Sequence, residues 1–176
     1  VYKRQQRALL GISGGLDSSV VVTLLTDALG PENVVGVLMP SQLSTSESQD
    51  DAKALLENLG VLAVQCPIQN TVESVITLSD SVRDAINTQW KPLETSYAQD
   101  NAQAITRATI LRLLGNDYHA LPIATSDKSE LYLGYATVNG DMSGALSPIA
   151  DVPKTKVRAL ARWMNENRPH KQAIPE

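Results

Sequence analysis

Short apolar runs alternate with helix-spaced apolar stripes through the first third of the chain. Residues 8–12 form a compact apolar run ending in Ser-Gly-Gly, which predicts a buried strand and then a tight turn. Val21, Leu24, Leu25 and Ala28 fall at i, i+3, i+4 and i+7, one face of a helix that Gly30-Pro31 stops. Residues 34–39 read as a second buried strand closed by Pro40. Ser46 and Gln49 have capping-box spacing, and Ala52, Leu55, Leu56 and Leu59 carry a helical stripe to Gly60. Residues 61–66 predict a third strand, ended by Pro67. Beyond Thr71 the pattern weakens. It predicts a helix over 72–86, a surface loop over 87–99, a helix over 101–114 and a strand over 121–125. Val157, Leu160, Ala161 and Met164 mark a last amphipathic helix.

Strand, helix, strand, helix, strand with short connections predicts an α/β fold: a doubly wound parallel sheet with helices on both faces. Crossovers between parallel strands are right-handed and need a helix. No internal repeat or low-complexity linker interrupts residues 1–176, so a single domain is expected.

Composition narrows the function classes. The 176 residues are 43% hydrophobic, enough for a packed core. With 15 Lys+Arg against 19 Asp+Glu the net charge is −4, which gives no electrostatic case for a nucleic-acid binder. One cysteine, Cys66, excludes an internal disulfide framework and multi-cysteine metal sites. The two histidines, His119 and His170, make a His-built metal centre improbable and read as structural or exposed. No apolar run reaches the ~18 residues of a membrane span, so a cytoplasmic protein without membrane partners is expected. The chain opens on Val1 rather than Met, and VYKRQ resembles read-through of a sequencing adapter. Residues 1–5 therefore carry little structural weight, and the chain reads as a fragment truncated at both ends.

The sharpest local feature is Ser13-Gly14-Gly15-Leu16-Asp17-Ser18-Ser19, between the first strand and the first helix. Two glycines let the backbone turn tightly and approach a ligand closely. The N–H groups of the turn and of the helix start point into one electropositive concavity, and Ser13, Ser18 and Ser19 add hydroxyls, a combination suited to phosphate. Neither GxxxxGK[ST] nor GxGxxG is present, so Walker A and dinucleotide Rossmann loops are excluded. A carboxylate at Asp17 inside an anion-binding turn needs a bridging cation, for which Mg²⁺ is the natural choice. SGGLDSS resembles the pyrophosphatase loop of the ATP pyrophosphatase superfamily, which cleaves ATP between the α- and β-phosphates.

A second constellation narrows the family. Thr125-Ser126-Asp127-Lys128-Ser129-Glu130, Gly134-Tyr135-Ala136-Thr137, Gly140-Asp141-Met142, Pro148 and Asp151-Val152-Pro153-Lys154-Thr155 together resemble the NAD synthetase pattern TGNKSE…GYAT.YGDM.GG..P..D..KT. Asn101 and Gln103 resemble its ENLQAR helix, and Met39-Pro40-Ser41 its second-strand MPS. On the residues alone, Asp17 and Glu130 can reach one cation from different strands. Lys128 and Lys154 can neutralise phosphate, and Asp141 can orient a substrate amide or hydroxyl.

The resemblance implies an adenine nucleotide alpha hydrolase-like fold and the family's chemistry. The nicotinate carboxylate of deamido-NAD attacks the α-phosphate of ATP, giving an adenylate and pyrophosphate, and ammonia then displaces AMP to give NAD. Carried over by motif, Gly11, Ile12, Ser13, Gly14, Gly15, Leu16, Asp17, Ser18 and Ser19 hold phosphates. Asp17 and Glu130 meet Mg²⁺, and Thr125 contacts ATP. Asn101 and Glu130 lie near deamido-NAD, and Met39 flanks adenine. Asp17, Lys128, Lys154 and Asp141 form the catalytic set, acting electrostatically with no protein nucleophile. The wording around Lys154 and Ala161-Arg162-Trp163, and the ending Ile174-Pro175-Glu176, resemble the glutamine-dependent branch. There an amidase domain outside this chain supplies ammonia, and the family usually forms homo-oligomers. Against the pattern, Ile105 stands at the first Arg of QAR while Arg107 matches the second. Ser126-Asp127 replaces Gly-Asn, Asn139 a Tyr, Ala145 a Gly, and Gln42 an Arg. Two other readings stay open: an ATP-pyrophosphatase amidotransferase for a different acid, and a nucleotide-binding paralogue without turnover.

Overall fold

A computed structural model describes residues 5–42, 44–92, 96–167 and 174. The expectations for residues 1–4, for His170 and for Pro175-Glu176 lie outside the described residues. Four strands, β1 (Arg7–Gly11), β2 (Val34–Leu38), β3 (Leu62–Gln65) and β4 (Ala120–Pro122), pair in parallel in the order β3-β2-β1-β4. Six α-helices, α1 (Leu16–Leu29), α2 (Ser46–Leu59), α3 (Gln69–Asn87), α4 (Ala98–Asp117), α5 (Lys128–Leu133) and α6 (Lys154–Asn167), and one turn of 3-10 helix at Pro31–Asn33 complete the described architecture.

The period-2 geometry of the strands divides the core in two. Ala8 and Leu10 of the first strand and Ile12 just beyond it point to the side where α1, α2 and α6 pack, with Val20, Val21, Leu55, Leu56, Val157 and Ala161. Leu9 points to the opposite face, where Val37 and Met39 meet Ile68, Val72 and Leu111 under α3 and α4. The run Val20-Val21-Val22 is β-branched and poor in intrinsic helix propensity. All three side chains are completely buried in α1, so packing overrides propensity.

Several boundaries differ from the sequence expectation. The capping box expected at Ser46 and Gln49 is not formed: Thr45 is the N-cap of α2, its hydroxyl oxygen accepting from Ser48 N at 3.2 Å. Thr45 has the extended backbone an N-cap needs (φ −75°, ψ 154°), and Ser46 is already the first helical residue. The fourth strand begins and ends earlier than the expected 121–125, at Ala120–Pro122, and Ile123 then bridges to Leu146. The third strand is an edge strand with Leu62 and Val64 exposed. The short helix α5 was not expected, because its six residues are too few to show a periodic stripe.

Chain order and spatial order part company at β1. β2 lies on one side of it and β4 on the other, so the loops leaving β1 and β4 diverge. In open α/β sheets such a switch point opens a crevice beyond the carboxyl ends of the strands.

Candidate functional site

The crevice is a cavity of about 410 Å³. The turn after β1 lines it with Gly11, Ile12, Ser13, Gly15, Asp17 and Ser18, and the end of β2 with Met39 and Pro40. Arg107 and Leu111 of α4 form another wall, with Thr125, Ser126, Glu130 and Asp141 opposite.

The turn is held by its own serines. Ser13 Oγ accepts from Gly15 N at 3.2 Å and lies 3.2 Å from Ser18 Oγ. The hydroxyls of Ser18 and Ser19 both donate to Gly15 O, at 3.1 and 2.8 Å. Gly15 is the N-cap of α1 and no side chain caps it, so the first N–H groups of the helix are left for an incoming acceptor. Gly14 sits at φ +82°, and a Cβ there would run into the Ser48 carbonyl. The turn is thereby pressed against the first turn of α2.

Beside the turn, one ammonium gathers three carboxylates. Lys154 Nζ lies 2.6 Å from Asp17 Oδ2, 3.0 Å from Glu130 Oε1 and 3.1 Å from Asp127 Oδ2. Asp17 comes from α1, Asp127 and Glu130 from the start of α5, and Lys154 from the first residue of α6. Burial opposes the charged form of Lys154. The hydrogen bonds to Asp17 and Glu130, with Asp127 behind them, outweigh it and raise the lysine pKa above its ordinary value. Asp127 and Glu130 form a capping box: Asp127 Oδ1 accepts from Glu130 N at 2.9 Å, and Glu130 Oε2 accepts from Asp127 N at 3.3 Å.

Sequence reasoning treated Asp17 and Glu130 as two carboxylates sharing one cation. In the structure both carboxylates contact the Lys154 ammonium. Asp17 Oδ1 is also buried with no hydrogen-bond partner among the described residues. Among the described residues no group of three or more His, Cys, Asp or Glu side chains is arranged to hold a metal alone. Mg²⁺ typically takes one or two carboxylates and completes its shell with phosphate oxygens and water. An unpartnered Asp17 oxygen next to Glu130 fits that pattern.

The other expected residues are placed unevenly. Thr125, Met39 and Asp141 line the cavity. Asp141 Oδ1 accepts from Thr137 N at 2.7 Å, and Thr137 Oγ1 donates to Asn101 Oδ1 at 2.8 Å, so Asn101 is tied to this loop but is exposed and outside the cavity lining. Gly14 and Leu16 shape the turn without lining the cavity. Ser19 is completely buried, outside the cavity lining, and its hydroxyl donates to Gly15 O. Lys128 is exposed and outside the lining, because the first position of α5 faces away from the cavity.

Arg107 and Asp127 were not among the expected site residues. Arg107 lines the cavity, donates to Met39 O and to Ser41 Oγ, and makes no ion pair among the described residues. Burial lowers its pKa from the ordinary arginine value. An arginine nonetheless stays charged, so the wall presents an undersolvated cation. Its signal in the sequence was the final Arg of Gln103-Ala104-Ile105-Thr106-Arg107. Ile105, at the neighbouring departure from the family pattern, is 42% exposed.

A parallel sheet with a glycine turn, a carboxylate cluster and a half-buried arginine at its switch point defines an α/β domain whose crevice suits an anionic ligand. The family model described as NAD synthase matches residues 2–176, and the chain belongs to the NAD synthase family. It is 43% identical over 171 residues to a glutamine-dependent NAD(+) synthetase of Aquifex aeolicus, covering 97% of this chain and 28% of that protein. It is 38% identical over 160 residues to an NH(3)-dependent NAD(+) synthetase of Fusobacterium nucleatum, covering 90% of this chain and 57% of that one. A solved glutamine-dependent NAD+ synthetase of Acinetobacter baumannii, in complex with ADP, superposes with a TM-score of 0.88 at 32% identity, covering 99% of this chain and 31% of that one. The chain thus spans under a third of the glutamine-dependent relatives and a little over half of the NH(3)-dependent one. Among the described residues no helix is long and apolar enough to cross a membrane.

Proposed function

We propose that this chain is the nucleotide-binding core, a single domain, of a cytoplasmic enzyme that amidates deamido-NAD to NAD at the expense of ATP. The observation that supports it best is the glycine turn opening at the switch point beside Asp17, Glu130 and Lys154. The turn's N–H groups and Arg107 hold phosphate oxygens, and Met39 flanks the adenine. The nicotinate carboxylate oxygen forms a bond to the α-phosphorus while the bond to the bridging oxygen of pyrophosphate breaks. Ammonia nitrogen then bonds to the acyl carbon, AMP leaves with the carboxylate oxygen, and the amide nitrogen loses its surplus proton. Asp17 and Glu130 would hold Mg²⁺, which when bound supplies charge stabilisation at the transferring phosphoryl group. Lys154 neutralises phosphate charge beside those two carboxylates, and Asp141 orients the acid substrate.

The greater length and the names of the glutamine-dependent relatives support an amidase partner domain as the ammonia source. Val75, Leu78, Val82 and Ile86, an exposed apolar stripe along α3, support pairing with a second copy of the chain. The test of the activity is ATP–pyrophosphate exchange by the full-length protein containing this chain. Exchange that requires deamido-NAD is expected. Exchange driven by another acid, or nucleotide binding with no exchange under any acid, would overturn the reading.

A further inference from the structure

Asp127 is the deepest member of the carboxylate cluster, its side chain 0% exposed against 22% for Asp17 and 27% for Glu130. Capping does not account for a carboxylate here. Asp127 Oδ1 caps α5, and an asparagine oxygen would do that equally well without burying a charge. The other oxygen, Oδ2, is buried with no hydrogen-bond partner among the described residues and faces Lys154 Nζ at 3.1 Å. Three carboxylates and one ammonium leave a net charge of about −2, the charge one divalent cation would balance. Such a cation and the ammonium would compete for the same two carboxylates, because Lys154 already holds Asp17 through Oδ2 and Glu130 through Oε1.

We propose that Asp127 is a positioning residue that draws the Lys154 ammonium to its own side of the cluster, freeing Asp17 and Glu130 for a divalent cation. The inference rests on the reading of Asp17 and Glu130 as cation ligands. Without Asp127 the ammonium has two anionic partners, both of them the cation's, and the cation must displace it. With Asp127 the lysine keeps a buried counter-charge while the cation takes the two less buried carboxylates.

The test uses the full-length protein, Mn²⁺ as the probe read by electron paramagnetic resonance, and an ATP analogue with methylene between the α- and β-phosphates. Asp127→Asn preserves the cap and removes the charge. The Mn²⁺ dissociation constant at saturating analogue is expected to rise about tenfold. Metal-free binding of the analogue and metal-free thermal unfolding should both stay close to wild type. In a Lys154→Met background the same Asp127→Asn change should move the Mn²⁺ constant by less than about twofold, because no lysine is left to compete. A tenfold loss that persists in that background overturns the proposal, and so does wild-type Mn²⁺ affinity in the single variant. Asp17→Asn separates the two levels. Unchanged Mn²⁺ affinity there sinks the cation-ligand assignment itself, whatever Asp127 does. The measurement involves no turnover, so it is independent of whether deamido-NAD is the acid substrate.

Discussion

Lys154 is held by charges from two other helices, and its raised pKa fixes the pH range over which it stabilises the fold. A folded-state pKa above the ordinary 10.5 means the contribution is fully present below 10.5 and is lost as pH rises through the raised value. Lys154→Met leaves three carboxylates around an apolar tip, at a cost of about 3 kcal/mol. The gap in unfolding free energy between wild type and variant should therefore be the same at about pH 7 and about pH 9. Denaturant titrations at the two pH values check this, and a gap that closes by pH 9 would mean the ammonium is not held by its partners. Gly14 is the other residue on which the site turns. Alanine there meets a left-handed backbone at φ +82° and the carbonyl of Ser48, so either the turn or α2 must shift. Gly14→Ala is expected to lower turnover about 100-fold by misplacing the phosphate-binding N–H groups. Wild-type kinetics in that variant would show that the turn does not position the phosphates.

Elements were legible in the sequence where burial imposes a period. The first two strands and the two helices that follow them appear near the expected positions, because Leu10, Val37, Leu55 and Leu56 must alternate or stripe to reach the two cores, whereas the third strand is exposed along all four residues and is marked by its flanking Gly60 and Pro67. Ends were less legible, since caps depend on backbone angles rather than on residue type alone. Ser46 and Thr45 are both good capping residues, and the extended angles of Thr45 decide between them. Thr45→Ala should cost about 1 kcal/mol while Ser46→Ala costs only a few tenths. Equal losses in thermal unfolding would contradict the assigned helix start. The reciprocal box that does form, Asp127 with Glu130, was read through Glu130 as a cation ligand and through Asp127 as a departure from the family pattern. Its placement behind Lys154 could not be read from the chain, because residue spacing does not say which helix start meets which. Asn139 is a related case: its φ of 61° is one that asparagine tolerates well, which gives a local reason for that residue in the turn before Gly140.

At the scale of the molecule, the strand order β3-β2-β1-β4 both makes the crevice and divides the core unequally. The face under α1, α2 and α6 collects most of the fully buried side chains, among them Leu10, Val20, Val21, Val22, Leu55, Leu56 and Val157. The opposite face is thinner. In α3 only Val72 is buried, and Leu78 is 70% exposed although it lies in the middle of the helix. Leu9 and Leu10 test this asymmetry directly, because they are neighbours on one strand and differ only in which face they enter. Leu10→Ala opens a cavity between β1 and helices fixed on several sides, where little can collapse into it, and should cost about 4 kcal/mol. Leu9→Ala opens one beneath α4 and the end of α3, where the looser layer can settle, and should cost about 2–3 kcal/mol. Denaturant unfolding of the two variants gives the comparison. A larger loss at Leu9 than at Leu10 would place the rigid half of the molecule on the α3–α4 side. The glycine turn would then be anchored from the wrong face, since α1, which the turn opens, packs only with the other.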